Sequence, residues 1–263
     1  MKSSSSSLAQ TLRRIALSAW MPVVALVIIW IVTTQSPSVF FPPLPSVLES
    51  FVTTWFGEGF VTHVLPSLSN LAVGFAIALV VGVGLGLILS ALPLAHALVN
   101  PYAQFLRALP GVALLPLLIM LMGTNNASKI VLIAFGAVWP ILLNTIDGIA
   151  LIPREQREAV ASYRVRPIDI VTRLLLPGAF PRITVGIRLS LSIALVLMVG
   201  SEYYGATQGI GFYVLQAKQT FHTDEMWSGV LLLGLIGYVL SMTYGLLERR
   251  LLAWKELQST DSK

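Results

Sequence analysis

The chain has 263 residues, of which 56% are hydrophobic and 11% charged, with a mean hydropathy of +0.81 and a formal net charge of +5. A soluble domain carries about 25% charged residues, and a chain this apolar cannot bury its greasy surface in a water-soluble core of its own size. Lipid is therefore its solvent, and the absence of cysteine excludes a disulfide frame, a thiolate nucleophile and cysteine metal ligands.

A membrane-spanning helix needs about 20 mostly apolar residues, and six stretches qualify. Residues 1–14 form a polar tail with Lys2, Arg13 and Arg14 and a serine run, Ser3–Ser7. The first span is about Ile15–Thr34; it is long for a signal core and lacks a clean small-x-small cleavage site, so it is expected to stay attached. The outer loop Pro37–Pro66 holds an amphipathic stretch, Val47–Phe56, expected to lie flat at the outer surface. The second span, about Ser67–Leu92, contains Gly82, Gly84 and Gly86. This spacing imitates a phosphate loop but lies inside an apolar run, so Gly82 and Gly86 predict close helix packing.

The third span is about Leu109–Met122 with a few preceding residues, and Arg107 before it either snorkels or meets a partner. The fourth, about Ile130–Ile146, lies between Lys129 and Asp147. Its Trp139 and Asn144 are candidates for lining a pathway, or for packing helices together. The fifth, about Ile183–Tyr204, carries Arg188 near its start and Glu202 and Tyr203 at its outer end. An ionisable group in a span is a functional candidate by default, so Glu202 is read, with Tyr203 beside it, as a gate or pathway residue, or else as a headgroup-facing acid or a helix-pairing one. After the last outer loop, Gly205–Glu225, comes the sixth span, about Met226–Leu247. The transmembrane domain thus covers 15–250, with an inner loop over 151–181 and a tail over 251–263.

Fifteen of the 17 Lys and Arg residues fall in segments on one side of this six-span arrangement, leaving only Lys129 and Lys218 on the other. The positive-inside rule then places both termini in the cytosol. Membrane anchoring accounts for the basic balance, and no nucleic-acid partner is expected.

The inner loop concentrates the charge. Pro153 suits a first helical position, Glu155 and Glu158 favour the helix start, and Ala159, Ser162 and Tyr163 share one face. Pro167 ends or restarts the helix. Ile168, Val171, Thr172 and Leu175 predict a second short amphipathic helix, stopped by Pro177. Residue spacing alone leaves two readings open: an interfacial loop with snorkelling arginines, or a handle gripped from the cytosol.

Glu158-Ala159-Val160 is followed by Leu176-Pro177 at eighteen and nineteen residues. This resembles the EAA loop of permease subunits of bacterial ABC importers, with Arg164 standing where that loop has glycine. Arg107-Ala108-Leu109-Pro110, Ser128-Lys129-Ile130, Pro140-Ile141-Leu142-Leu143-Asn144-Thr145, Gly205-Ala206-Thr207-Gln208-Gly209-Ile210-Gly211 and Leu247-Glu248-Arg249-Arg250-Leu251 resemble the nitrate/sulfonate/taurine branch of these permeases. The resemblance runs from about Pro42 to Trp254.

It implies an all-α membrane protein with six transmembrane helices like a type I ABC importer permease, N-in and C-in, in the bacterial inner membrane. It implies contact with a cytosolic ATPase, two copies per assembly, through Arg157, Glu158, Ala159, Val160, Ser162, Tyr163, Arg164, Leu176 and Pro177. The other implied partners are a second permease subunit, forming a homodimer, and a periplasmic or lipid-anchored solute-binding protein. ATP and magnesium would sit on the ATPase; no Gly-Lys pair of a Walker A loop occurs in this chain, and no metal or catalytic cluster stands out. The implied substrate is a small anion such as a sulfonate, taurine or nitrate, the alternative being an aromatic or pyrimidine compound. An ion-gradient-driven carrier would need charged or broken mid-span sites and an inverted repeat, and neither is legible.

Overall fold

The computed structural model describes residues 40–260 apart from Leu92 and Arg164, together with isolated positions between 24 and 34. The predicted first span falls largely outside the described residues; those of its positions that are described are helical, and among them Trp30 and Ile31 are exposed.

Ten α-helices follow in chain order. Helix α1, Leu44–Trp55, starts behind Pro43 and buries Val47 and Trp55. A π turn, Phe60–Val64, leads into α2, Leu65–Ala91. Helix α3, Pro93–Ala108, is joined through a 3-10 turn, Gly111–Leu114, to α4, Leu115–Met122. Helix α5 is Asn126–Ala150, capped by Asn125, whose side chain accepts from the Ser128 N–H. Helix α6, Arg154–Ser162, and the short α7, Pro167–Ile170, make the inner loop. Helix α8 is Leu176–Glu202, α9 is Ile210–Gln219 and α10 is Thr223–Thr260.

Four of these helical stretches are long and apolar enough to cross a membrane: Phe60–Ala91, Asn126–Ala150, Pro167–Glu202 and Thr223–Leu252. They contain the fourth and sixth predicted spans, and cover the second and fifth except for the last one or two residues of each. The third differs from expectation. Pro101–Ala108 and Gly111–Met122 form a pair bent by 87° rather than one straight helix. Pro110 bars the α conformation at Leu109 and is itself extended, with ψ 110°, so the helix breaks there and restarts with Pro116 in its first turn.

The inner loop also departs from expectation. Pro177 does not stop a helix. The chain runs from Pro167 through a π turn at Val171–Leu175 into α8 as one helix of 36 residues. The Leu176 N–H reaches back to the Val171 carbonyl, and this wide turn sits where Pro177 has no N–H to offer a regular ladder. Leu65-Pro66 repeats the device, the Leu65 N–H bonding the Phe60 carbonyl.

Helix α5 is the centre of the bundle, packed between α2 and α8. Leu71, Ala78, Leu115, Leu132, Ile133, Ala137, Ile141, Ala194, Leu197 and Met198 form the main core. The face of α2 toward α5 is made of small residues. A Cβ on Gly82 would lie 2.9 Å from the Ile141 Cβ, and one on Gly86 would lie 2.6 Å from the Thr145 Cβ, whereas one on Gly84 would meet nothing within 4 Å. On the other side the Ser190 hydroxyl donates to the Ala137 carbonyl at 2.6 Å, tying α8 to α5. Helix α10 leans on α8 through Tyr244, which donates to the Thr184 carbonyl at 2.7 Å, and through the Arg188–Glu248 ion pair. Leu232 of α10 is buried, while others of its large side chains, among them Leu235, Tyr238, Val239 and Met242, are exposed, as in a helix whose solvent is lipid.

The glycine face makes a direct prediction. Gly86→Leu forces α2 away from α5 and costs about 1–3 kcal/mol as overpacking, while Gly84→Leu is close to neutral. Thermal unfolding of the two variants in detergent reads the difference, and equal midpoints would refute this packing.

Candidate functional site

Three features of the bundle carry functional side chains, and they lie apart. The first is a cavity of about 780 Å³ between the α3–α4 bend, α5 and α8. Trp139 and Asn144 are both in its wall. They are joined there by Gln104, Arg107, Asp147 and Ser192, none of which the sequence reading placed on a pathway. Arg107 was read as snorkelling or meeting a partner and Asp147 as bounding the fourth span. Ser192 stands in register with Leu189 and Ile193 on the same wall, a faint signal available in the sequence. Asp147 lies in the part of the cavity wall toward α6, and Leu197 in the part toward Glu202.

Local geometry orders this wall. Phe135 sits one turn before Trp139 and packs edge to face on it, with ring centroids 5.6 Å apart at 80°. Pro140 has no N–H for the helix ladder, and the Asn144 amide donates to the Pro140 carbonyl at 2.8 Å. Helix α8 comes close to the backbone of α5 at this place: a Cβ on Gly186 would lie 2.7 Å from the Pro140 carbonyl oxygen. Trp139 Nε1 is the one buried side-chain polar atom without a hydrogen-bond partner among the described residues.

The second feature is Glu202. It lies outside the cavity and is 1% exposed at the outer end of α8. The Ser67 hydroxyl donates to one carboxylate oxygen at 2.6 Å and the Gly211 N–H to the other at 2.8 Å. Ser67 in turn accepts from the Ile210 N–H at 2.9 Å, and His63 Nδ1 accepts from the Gly209 N–H at 3.2 Å. The first N–H groups of α9 thus end on α2 and α8 side chains, which satisfies donors that a helix start leaves open. The buried Lys129 at the head of α5 adds a positive charge that acts on Glu202. Gly209 has to be glycine: its φ is +127°, and a Cβ would stand 2.6 Å from a Glu202 oxygen. Of the roles considered for Glu202, the geometry fits the helix-pairing one. His63 belongs to the π turn and to this knot. Tyr203 is not buried with Glu202; it is 39% exposed and lines a shallow apolar hollow with Val112, Val196 and Leu233.

Next to the knot, α1 and α9 pack on the head of α10. Trp55 donates to the Ser228 hydroxyl at 3.2 Å, and Ser50 to Asp224 at 2.9 Å. Burial raises the Tyr213 pKa above its ordinary value, so its hydroxyl keeps its proton and donates to Glu225 at 3.0 Å. The predicted amphipathic stretch is therefore a helix with one face docked, not a free surface segment.

The third feature is α6. Arg157, Glu158, Ala159 and Ser162 on it are exposed, as is Tyr163 just after it, while Val160 is half-buried. Arg154 pairs with Glu158 at 2.6 Å with both side chains largely in solvent, a contact worth only about 0.3–0.5 kcal/mol. Arg164 lies outside the described residues. Leu176 and Pro177 are in the first turn of α8, part of the long helix rather than of α6. The loop is pinned at its base, where Ile149 and Ile152 pack against Ala179 and Ile183.

The family described as "Binding-protein-dependent transport system inner membrane component" matches residues 78–253 of this chain. The chain belongs to that family. It is 32% identical to the putative aliphatic sulfonates transport permease protein SsuC of Bacillus subtilis (strain 168) over 193 residues, 73% of this chain and 70% of that protein. It is 28% identical to the taurine transport system permease protein TauC of Escherichia coli (strain K12) over 250 residues, 92% of this chain and 90% of that one. Among solved structures, an inward-facing form of the MetNI methionine ABC transporter aligns with TM-score 0.62 at 20% identity, covering 71% of this chain and 93% of the matched one. The resemblance to the sulfonate and taurine branch and the permease-type fold both stand on these matches.

The knot at Glu202 is testable on its own. Glu202→Ala leaves the Gly211 N–H and the Ser67 hydroxyl unpaired and costs about 1–3 kcal/mol. Hydrogen exchange should speed up at the Ile210 and Gly211 amides while the mid-span amides of α5 keep their protection. Unchanged exchange at those two amides would show that the carboxylate does not hold α9.

Proposed function

We propose that this chain is the membrane-spanning permease subunit of an ATP-driven importer for a small anion of the sulfonate or taurine kind. Two copies pair around a central pathway, and the cavity beside Trp139 is one copy's share of it. Each copy presents α6 to a cytosolic ATPase subunit, which holds the ATP and magnesium. An external binding protein delivers the anion to the outer loops beside α1 and α9.

The observation that carries this reading is α6 itself. A short charged helix whose acidic and basic residues face solvent has no reason to stand clear of the bundle unless something else covers it. It is tied to a helix of 36 residues, about 54 Å long at 1.5 Å per residue. That exceeds the roughly 30 Å of hydrocarbon it crosses, so its cytosolic part reaches beyond the bilayer as a rigid lever. Motion imposed on α6 is then transmitted along α8, whose far wall lines the cavity. Packed helices switch between discrete arrangements rather than bending continuously.

A gradient-driven carrier would also use a broken span, and the Leu109-Pro110 bend is one. The family membership and the exposed α6 nevertheless favour the ATPase-driven reading. The sulfonate or taurine class rests on the two named relatives.

Glu158→Lys tests the coupling. In proteoliposomes holding the permease with its ATPase and binding protein, taurine uptake should fall about tenfold or more, the cost of one charge-assisted contact. Membrane insertion and basal ATP hydrolysis should stay as they were. Normal taurine uptake by that variant would remove α6 from the coupling path.

A further inference from the structure

We propose that the cavity receives a small zwitterion, its anionic group on the Arg107 guanidinium and its ammonium group on the Asp147 carboxylate, so that this chain favours an amino-sulfonate of the taurine kind over a plain anion. The inference rests on the permease reading above and deepens it by naming which member of that substrate class the membrane subunit itself selects.

Two side chains of opposite charge share the wall of the cavity of about 780 Å³, a size within the usual range for small-molecule sites, about 300–1,000 Å³. Arg107 belongs to the bent pair Pro101–Ala108 and Gly111–Met122, and Asp147 to the span Asn126–Ala150. Ionisable residues within spans are costly, so they pair with one another or mark the route of a substrate. Among the described residues the ion pairs are Arg154–Glu158, Arg173–Asp169 and Arg188–Glu248. Neither the Arg107 nor the Asp147 side chain has an ion pair or a hydrogen bond among the described residues. The same bundle closes Arg188 of α8 on Glu248 of α10, so two opposite charges left apart on one cavity wall call for a reason. Both residues are exposed, and a ligand can reach them.

The surroundings fit a ligand charged at both ends. Gln104 stands one turn before Arg107 on α3, Asn144 stands one turn before Asp147 on α5, and all four line the cavity. Asn144 spends one amide hydrogen on the Pro140 carbonyl and keeps the other. Leu189 and Ile193 of α8 add apolar wall for the methylenes that join the two charged groups. A guanidinium presents a fork of donors to the oxygens of a sulfonate or carboxylate, and a carboxylate accepts from an ammonium. A plain anion such as ethanesulfonate or nitrate satisfies Arg107 alone and brings a like charge toward Asp147. A zwitterion satisfies both.

The test measures binding to the full chain in nanodiscs by ligand-observed saturation-transfer NMR, with taurine and ethanesulfonate as probes. Ethanesulfonate is taurine without its amine. In the unaltered chain taurine should bind about tenfold or more tightly, the worth of one charge-assisted contact. Asp147→Asn should weaken taurine until the two probes bind alike, with ethanesulfonate no weaker than before. Arg107→Gln should weaken both probes by about tenfold. A merely structural role for Asp147 would change stability and leave the ratio of the two affinities as it was, so an unchanged ratio in Asp147→Asn overturns the proposal. Equal binding of the two probes by the unaltered chain also overturns it, and that comparison needs no variant to fold. Binding of ethanesulfonate alone overturns the zwitterion and leaves the anion importer standing. Binding of neither probe removes the sulfonate class from the permease reading, and this proposal with it.

Discussion

Everything in this molecule depends on how closely α2 and α8 approach α5. In lipid no hydrophobic force draws helices together, since the acyl chains are as apolar as the side chains. Attraction has to come from contact, and contact needs small residues. Gly82 and Gly86 let α2 lie against Ile141 and Thr145, and Gly186 lets α8 lie against the Pro140 carbonyl. The three helices become one slab, and the bent α3–α4 segment faces it across a gap instead of filling it. That gap is the cavity. A tighter α3–α4 would remove it, and a looser α5 would lose the backbone approach that fixes Trp139.

Polar groups are spent differently at the two ends of this slab. At the outer end Glu202, Ser67, Lys129 and the first amides of α9 are consumed by each other, which ties three spans to the loop that follows α8. At the inner end the charges of α6 stay in solvent. One end is built to hold its shape, and the other to be touched. That division is what the proposed importer needs, a cytosolic end open to an ATPase and an outer rim of fixed shape.

How much of this could be read in advance depended on distance along the chain. The long apolar runs, the arginine-rich inner loop and the packing role of Gly82 and Gly86 were legible, because each is a property of neighbouring residues. The break at Leu109-Pro110 was not, since hydropathy is continuous across it; Pro110 and Pro116 were its only local trace. Pro177 misled, because a proline that stops a regular helix is tolerated after a π turn, and no residue type announces that turn. Glu202 was visible as an anomaly, but its partner Ser67 is 135 residues away, so its role could be weighed and not decided. Which side chains share the cavity depends on the rotation of α5 and α8 about their axes, and only the packed structure sets that.

The π turns limit how this protein can vary. A π turn accommodates one more residue than a regular helical turn, and the one at Val171–Leu175 lies between the handle and the lever. Deleting a single residue inside it lets the turn relax to ordinary α geometry with the flanking helix kept nearly in phase, whereas deleting one from the regular helix beside it swings α7 about 100° around the axis of α8. In the second case the chain stays helical, yet α6 and α7 look the wrong way. Length in this stretch is therefore held by angle, and a descendant of this protein can lose residues from its tails far more easily than one from the middle of its inner loop.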